Sequence, residues 1–278
     1  MTWHLRSGVG LARRDADHLQ LGIDPPLAAV LPDSPAVRLL LVELAHGAPL
    51  TTLDATTAPV LESLVSAGLV VAADERAARC EARAACAIHL DAPDAVLGHL
   101  LRLVGQAGLR FTRDPGTASV AVLWSEGEPA RSRFDDLMRT GTPHLVVRER
   151  PEGALVGPYV VPGATACLRC VDAHLAETDP RRSLVVEQVA TTGPLRPLDP
   201  DPVARALAAA WAVQDLASAA QGVLPATWSA TVTLGELPPR VTAYTRHLHC
   251  GCAWAEELVD RAAQRAGQRA GQPVARAS

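Results

Sequence analysis

The stretch Val161-Pro-Gly-Ala-Thr-Ala-Cys167-Leu-Arg-Cys170-Val-Asp-Ala-His174 carries two thiols separated by two residues, and His247-Leu-His-Cys250-Gly-Cys252, 80 positions beyond Cys170, carries two more. Two close thiol pairs far apart in the chain can converge on one ion. Four thiolates suit Zn2+, which takes sulfur at about 2.3 Å and in an all-cysteine site keeps no position open for water. Cys167, Cys170, Cys250 and Cys252 are therefore candidate ligands of a structural zinc. The two-residue spacer lets both sulfurs of the first pair point inward from one turn, and Gly251 is expected to allow the sharper bend of the shorter spacer. Ordinary buried thiols or a redox dithiol are the alternatives, while disulfides are disfavoured in a cytosolic chain. Cys80 and Cys86 read as incidental thiols; His247 and His249 could replace a cysteine ligand, but with four thiols available they read as groups outside the ligand shell or exposed.

Upstream of the first pair, strand and helix patterns alternate. Cys86 to Leu90, Leu109 to Thr112, Val120 to Trp124 and His144 to Val147 read as strands, and Pro93 to Gln106 and Arg131 to Thr140 as helices. That alternation predicts an α/β domain with a parallel sheet. A loop is expected around Pro151 to Gly157, then a strand at Tyr159 to Val161. Downstream, Val203 to Gln221 predicts the longest helix, and Thr227 to Leu234 with Arg240 to Tyr244 a terminal hairpin. The residues from 261 to 278 lack a core pattern and read as a flexible tail.

The chain ahead of this domain has a different rhythm. Residues 17 to 23 and Leu27 to Leu31 read as strands, and Asp33-Ser34-Pro35 is a capped helix start, with Val37, Leu40, Leu41 and Leu44 at helical spacing up to Gly47. Short helices are expected at Leu50 to Asp54 and Thr57 to Ala67, with a returning strand at Leu69 to Val71. This order predicts a winged-helix domain over residues 1–72, a linker or short exposed helix over 73–85, and the α/β domain over 86–260.

Composition narrows the chemistry. All 26 basic residues among the 278 are arginine. Without lysine, neither a Schiff-base enzyme nor a Walker A loop can be built. Nine aromatic residues (five Trp, two Tyr, two Phe) leave little for single-strand nucleic-acid stacking. A net charge of −4 gives no field to gather nucleic acid or anionic lipid. No apolar run reaches the roughly 18 to 20 residues of a bilayer span, and no secretion signal opens the sequence, so a cytoplasmic protein is expected, without membrane or nucleic-acid partners. The turn Leu90-Asp-Ala-Pro-Asp-Ala-Val-Leu-Gly98, where a nucleotide would rest on a helix N-terminus, has no glycine before Gly98 and carries Asp91 and Asp94, so nucleotide binding is disfavoured. Asp94 reads as a capping or first-turn acid.

The two cysteine motifs, Asp179-Pro180, and the closing His249-Cys-Gly-Cys-Ala-Trp254 resemble the ThiF-like leader-peptide-binding proteins that partner cyclodehydratases in azole-forming (TOMM) peptide biosynthesis. The resemblance spans roughly residues 17 to 255. It implies a winged-helix peptide-recognition domain followed by a degenerate ThiF-like, Rossmann-type domain relative to ubiquitin-activating enzymes, with Cys167, Cys170, Cys250 and Cys252 on zinc. It also implies a groove for an extended precursor leader, which adds to a sheet edge by β-augmentation. Ala29, Val30 and Leu31 would line the strand side, and Leu61, Leu64 and Val65 the helix side. Filling a small core is the alternative role for those helix positions. ATP use would belong to a separate YcaO-type partner, with this chain a non-catalytic scaffold without nucleotide; a homodimer stays open. An active ThiF-like adenylyltransferase is one rival. A metal-responsive DNA-binding regulator is another, although residues 1 to 80 hold six arginines against nine acids, a poor match to a phosphate backbone.

Overall fold

The computed structural model describes residues 2–253 apart from 52, 236 and 237; Trp254, the expected domain end at 260 and the tail from 261 lie outside the described residues. The chain divides into a unit over Met1–Glu81 and a second beginning at Ala82.

In the first unit, β1 (Trp3–Leu5) pairs antiparallel with β5 (Val70–Ala72). The strands β2 (Leu11–Arg13), β3 (His18–Leu21) and β4 (Ala29–Pro32) form an antiparallel sheet in the order β2-β3-β4, with Leu19 opposite Leu31 and Leu21 opposite Ala29. Alternation puts Leu19, Leu21, Ala29 and Leu31 inward. Helix α1 (Pro35–His46) starts where Ser34 Oγ accepts the Val37 amide at 3.3 Å and stops at Gly47, whose φ of 63° and close approach to the His4 ring suit glycine. Helix α2 (Ala58–Ser66) adds Val60 and Leu64 to a core shared with Val37, Leu40, Leu41, Leu44 and Leu69. Each such side chain contributes about 1.5 to 3 kcal/mol by leaving water. The helix expected at Leu50 to Asp54 does not form among the described residues. The amide of Thr51 is drawn to the buried Glu43 carboxylate at 3.2 Å, and Asp54 Oδ1 accepts the Thr56 and Thr57 amides at 2.8 and 2.9 Å, which makes a turn in place of helix. Strands β1 and β2 were not among the expected elements.

Helix α3 (Ala73–Ala85) has no buried residue, and the division between the units falls within it. The second unit is built from β6 (Ala87–Asp91), α4 (Asp94–Gln106), β7 (Arg110–Thr112), β8 (Val120–Glu126), α5 (Asp135–Thr140), β9 (His144–Arg150), β10 (Gly153–Val160), α6 (Leu168–Ala176), α7 (Arg182–Thr192), α8 (Pro202–Ala220), β11 (Ala230–Leu234) and β12 (Arg240–Ala243). The seven-stranded sheet runs β12-β11-β10-β9-β8-β6-β7. Strands β7, β6, β8 and β9 are parallel, and β9 to β12 antiparallel, so the sheet is mixed where a parallel one was expected. Its larger core packs Ile88, Val122, Trp124, Leu145 and Val147 with α4 and α8, which meets the sheet through Ala208, Ala209, Ala212 and Leu216. The opposite face packs Ala121, Leu123 and Val146 against Phe134 and Leu168. The loop expected at Pro151 to Gly157 is mostly strand: β10 returns antiparallel on β9 from Gly153, with a register shift between Val156 and Tyr159. The helix expected over Arg131 to Thr140 begins as a 3-10 turn at Arg131–Phe134 before α5. No helix among the described residues is long and apolar enough to cross a membrane.

Candidate metal centre

Cys167 occupies the N-cap position of α6 with extended backbone (φ −86°, ψ 174°), and its carbonyl accepts the amides of Cys170 and Val171 at 3.0 and 3.2 Å. One helical turn thus brings the Cys170 sulfur beside that of Cys167, 3.7 Å away. The second pair arrives on the turn after β12, where the Cys250 amide bonds the His247 carbonyl at 2.9 Å. Cys250 Sγ lies 3.5 Å from Cys167, Cys252 Sγ 3.3 Å from Cys170, and all four sulfurs lie within 4.8 Å of one another. Sulfurs at tetrahedral corners about 2.3 Å from a common centre stand about 3.8 Å apart, close to this spacing. A disulfide, at about 2.05 Å, is far shorter. Four convergent, largely buried thiols fit zinc in a structural role. Cys167, Cys170, Cys250 and Cys252 would hold it, and the ion would supply a cross-link between two distant segments.

Hydrogen bonds among the sulfurs divide the four thiols, pushing Cys167 and Cys252 up and Cys170 and Cys250 down. Cys170, taking hydrogen bonds from Cys167, Cys250 and Cys252 and from the His247 amide at 3.4 Å, is held below the ordinary thiol range. Cys250 is lowered to about 7, chiefly by its bond with Cys167. The N-terminus of α6 adds its positive end. Gly251 departs from expectation: it has no positive φ, and a Cβ there would meet nothing within 4 Å, because a 3-10 turn makes the bend.

Two sets of supporting residues were not legible as such in the sequence. Ser229, at a positive φ of 49°, accepts the Ala166 amide on Oγ at 2.9 Å while its carbonyl accepts the Tyr244 amide at 2.7 Å, so it ties together the segments that carry the two thiol pairs. Asp172 of α6 receives Nε and Nη2 of the buried Arg131 at 2.6 and 2.8 Å. Glu128 joins the network, bound to Arg131 and, at 2.9 Å, to Arg148. Burial pushes the Glu128 carboxyl up, but Arg148 and Arg131 outweigh it and hold it below the ordinary range. Burial dominates at Arg148 and lowers it. No local motif announces pairs separated this widely in sequence.

The expected groove residues divide. Ala29, Leu31 and Leu64 are buried in the core of the first unit, Leu61 is half-buried against it, and Val30 and Val65 are 50% and 38% exposed. The hydrogen bond from the Asp33 amide to the Asp17 carbonyl, at 2.8 Å, sets the β3–β4 phase. Leu31 and Ala29 therefore turn their amides toward β3, and Val30 turns its N–H and C=O outward along an edge unpaired among the described residues. In the connection between β3 and β4, Ile23 and Leu27 are exposed, and Leu27 lies near Gly68 at the end of α2. At the turn after β6, Asp94 is a first-turn acid without a capping bond, and Asp91 pairs with Arg133 at 2.6 Å.

No family model matches the chain, and no curated protein matches it. Solved structures do share its fold. The heterocyclase TruD superposes with a TM-score of 0.70 at 16% identity, over 94% of this chain and 44% of TruD. A heterocyclase solved with substrate and cofactor gives 0.66 at 14%, over 91% and 39%. MccB of E. coli, solved with ATP, gives 0.62 at 10%, over 91% of this chain and 99% of that one. The chain thus spans less than half of the heterocyclases it matches and nearly all of MccB. At these identities the likeness shows a shared mixed α/β fold.

Proposed function

We propose that this chain is a non-catalytic, leader-binding partner of an azole-forming cyclodehydratase. The observation that carries the reading is the likeness to the heterocyclase TruD, which superposes at a TM-score of 0.70 over 94% of this chain. In this reading ATP use belongs to a YcaO-type enzyme to which the leader-bound peptide is presented. The first unit acts as a winged-helix recognition domain. An extended precursor leader pairs with the outward N–H and C=O of Val30 on β4 and lays alternate apolar side chains near Leu61 and Val65 of α2, with Ile23 and Leu27 alongside. Ala29, Leu31 and Leu64 then act from beneath, by holding the strand and helix apart at the right distance. The zinc-clamped second unit is a degenerate ThiF-like domain that no longer activates a carboxylate. Binding the leader raises the local concentration of the peptide's core at the partner's active site.

Val30→Pro tests this reading with little damage, because it deletes an N–H that faces away from the β3–β4 ladder. Candidate leader peptides titrated against the full chain are expected to bind the variant roughly fivefold to tenfold more weakly. Unchanged affinity contradicts the groove. The near full-length match to MccB, solved with ATP, favours a second reading, adenylation. A cavity of about 950 Å3 at the ends of β8 and β9 is the place for it, lined by five carboxylates, Glu149 and Asp199 among them, and four arginines, Arg150 and Arg196 among them. The paired Asp91 and the carboxylates in that lining speak against a triphosphate. Peptide-dependent ATP–pyrophosphate exchange by the purified chain would replace the scaffold reading with this one.

A further inference from the structure

Beside the four sulfurs stands a second group of metal-binding side chains. His174 and Glu177 lie one turn apart where α6 ends, His247 stands in the turn that leads to Cys250, and one ligand atom from each lies within 4.8 Å of the other two. Glu177 Oε1 is 3.1 Å from Nε2 of His247 and 3.4 Å from Nδ1 of His174. The ring orientations decide what belongs between them. Nε2 of His174 is 3.0 Å from the Thr245 carbonyl oxygen, so that nitrogen carries the proton and donates it. Nδ1 then presents a bare lone pair to a carboxylate oxygen. Two acceptors face each other across 3.4 Å, an arrangement that a metal ion between them would satisfy. His247 accepts the His249 amide on Nδ1 at 3.1 Å and points Nε2 at the same carboxylate.

We propose that His174 through Nδ1, Glu177 and His247 through Nε2 form a second, solvent-open site for a borderline divalent ion such as Zn2+, distinct from the four-sulfur site. Two imidazoles and a carboxylate are a zinc donor set that leaves a coordination position for water. The Glu177 side chain is 62% exposed, so water reaches the site. His174 is already in the required tautomer, fixed by the Thr245 carbonyl, as an outer partner fixes a ligating ring. Coordination by Nε2 of His247 moves that ring's proton to Nδ1 and gives up the bond from the His249 amide. The site is therefore weaker and more exchangeable than the sulfur centre, and its neighbour can be loaded without filling it.

The test uses the full chain, washed with a weak chelator and verified to hold one metal per chain, then titrated with Zn2+ by calorimetry. One further equivalent is expected to bind. Glu177→Gln, at an exposed position that leaves the fold intact, and His174→Gln are each expected to weaken it at least about tenfold while the retained metal stays in place. Co2+ added in place of the second Zn2+ is expected to show d–d bands without thiolate charge transfer. Absence of a second equivalent, wild-type affinity in both variants, or thiolate charge transfer from the added Co2+ would overturn the proposal.

Discussion

The four-sulfur centre and the β4–α2 surface differ in how directly residue type reveals what a position does. At the centre, the residue type is the chemistry: a thiol spaced to meet another thiol has few other uses, and all four sulfurs lie within 4.8 Å of one another. At the surface, leucine, valine and alanine serve a core and a groove equally well. Geometry then divides them. Consecutive strand residues point to opposite faces, so Ala29, Val30 and Leu31 cannot all line one groove, and Val30 alone of the three turns outward. On α2 the four-residue spacing keeps Leu61 and Val65 together, accessible, while Leu64 faces the core with no exposed surface. Side-chain identity locates a metal site; a peptide edge is located by which backbone groups lack partners.

Substitutions can sharpen or break that contrast. The largest effect is expected from Cys170→Ser, which removes a ligand that is fully buried. Metal content should fall to near zero, and stability should drop by several kcal/mol, because structural zinc binding is folding free energy. Retention of the metal at wild-type affinity would mean that the four sulfurs do not act together. Next comes Leu64→Ala, expected to cost about 3 kcal/mol in chemical denaturation through the cavity it leaves. Val65→Asp should cost less than about 0.5 kcal/mol while weakening leader binding. If the two variants exchange these effects, the division of α2 into core and surface faces is wrong.

A smaller effect concerns pH. His144 is buried, its Nε2 has no hydrogen-bond partner among the described residues, and burial holds its pKa below the ordinary 6.5. The unfolded chain binds this proton more readily, so the stability His144 supports is fully present above pH 6.5 and is lost as pH falls through and below that value. Denaturation midpoints measured from pH 7.5 down to about 5 should decline less steeply in His144→Gln. An identical slope would remove His144 from the account. The smallest effect is expected at Gly251→Ala, within about 0.5 kcal/mol and without loss of metal, since space is open there and the backbone is ordinary.

The legible parts of the fold were those with strong periodicity or unambiguous punctuation. Ser34, Pro35 and Gly47 bracket α1, and the apolar runs of β8 and β9 announce strands covered on both faces. Helix α7 escaped because Leu184, Val185, Val186 and Val189 give it no single apolar stripe and only Val186 is buried. Strands β1 and β2 are three residues each and exist through their partners. The segment before α2 reads as helix by composition, yet Asp54 spends its carboxylate on two amides and turns the chain. At the candidate metal centre the four clustering cysteines were legible and their supports were not, since Ser229 and the Arg131–Asp172 pair act across 63 and 41 positions.

X-ray absorption at the zinc edge, on the purified chain carrying one metal equivalent, addresses the centre most directly. Four sulfur scatterers at about 2.3 Å and no nitrogen or oxygen neighbour are the expected result. A first shell containing nitrogen or oxygen, or a chain purified under reducing conditions that takes up no zinc, would contradict a cross-link made by Cys167, Cys170, Cys250 and Cys252.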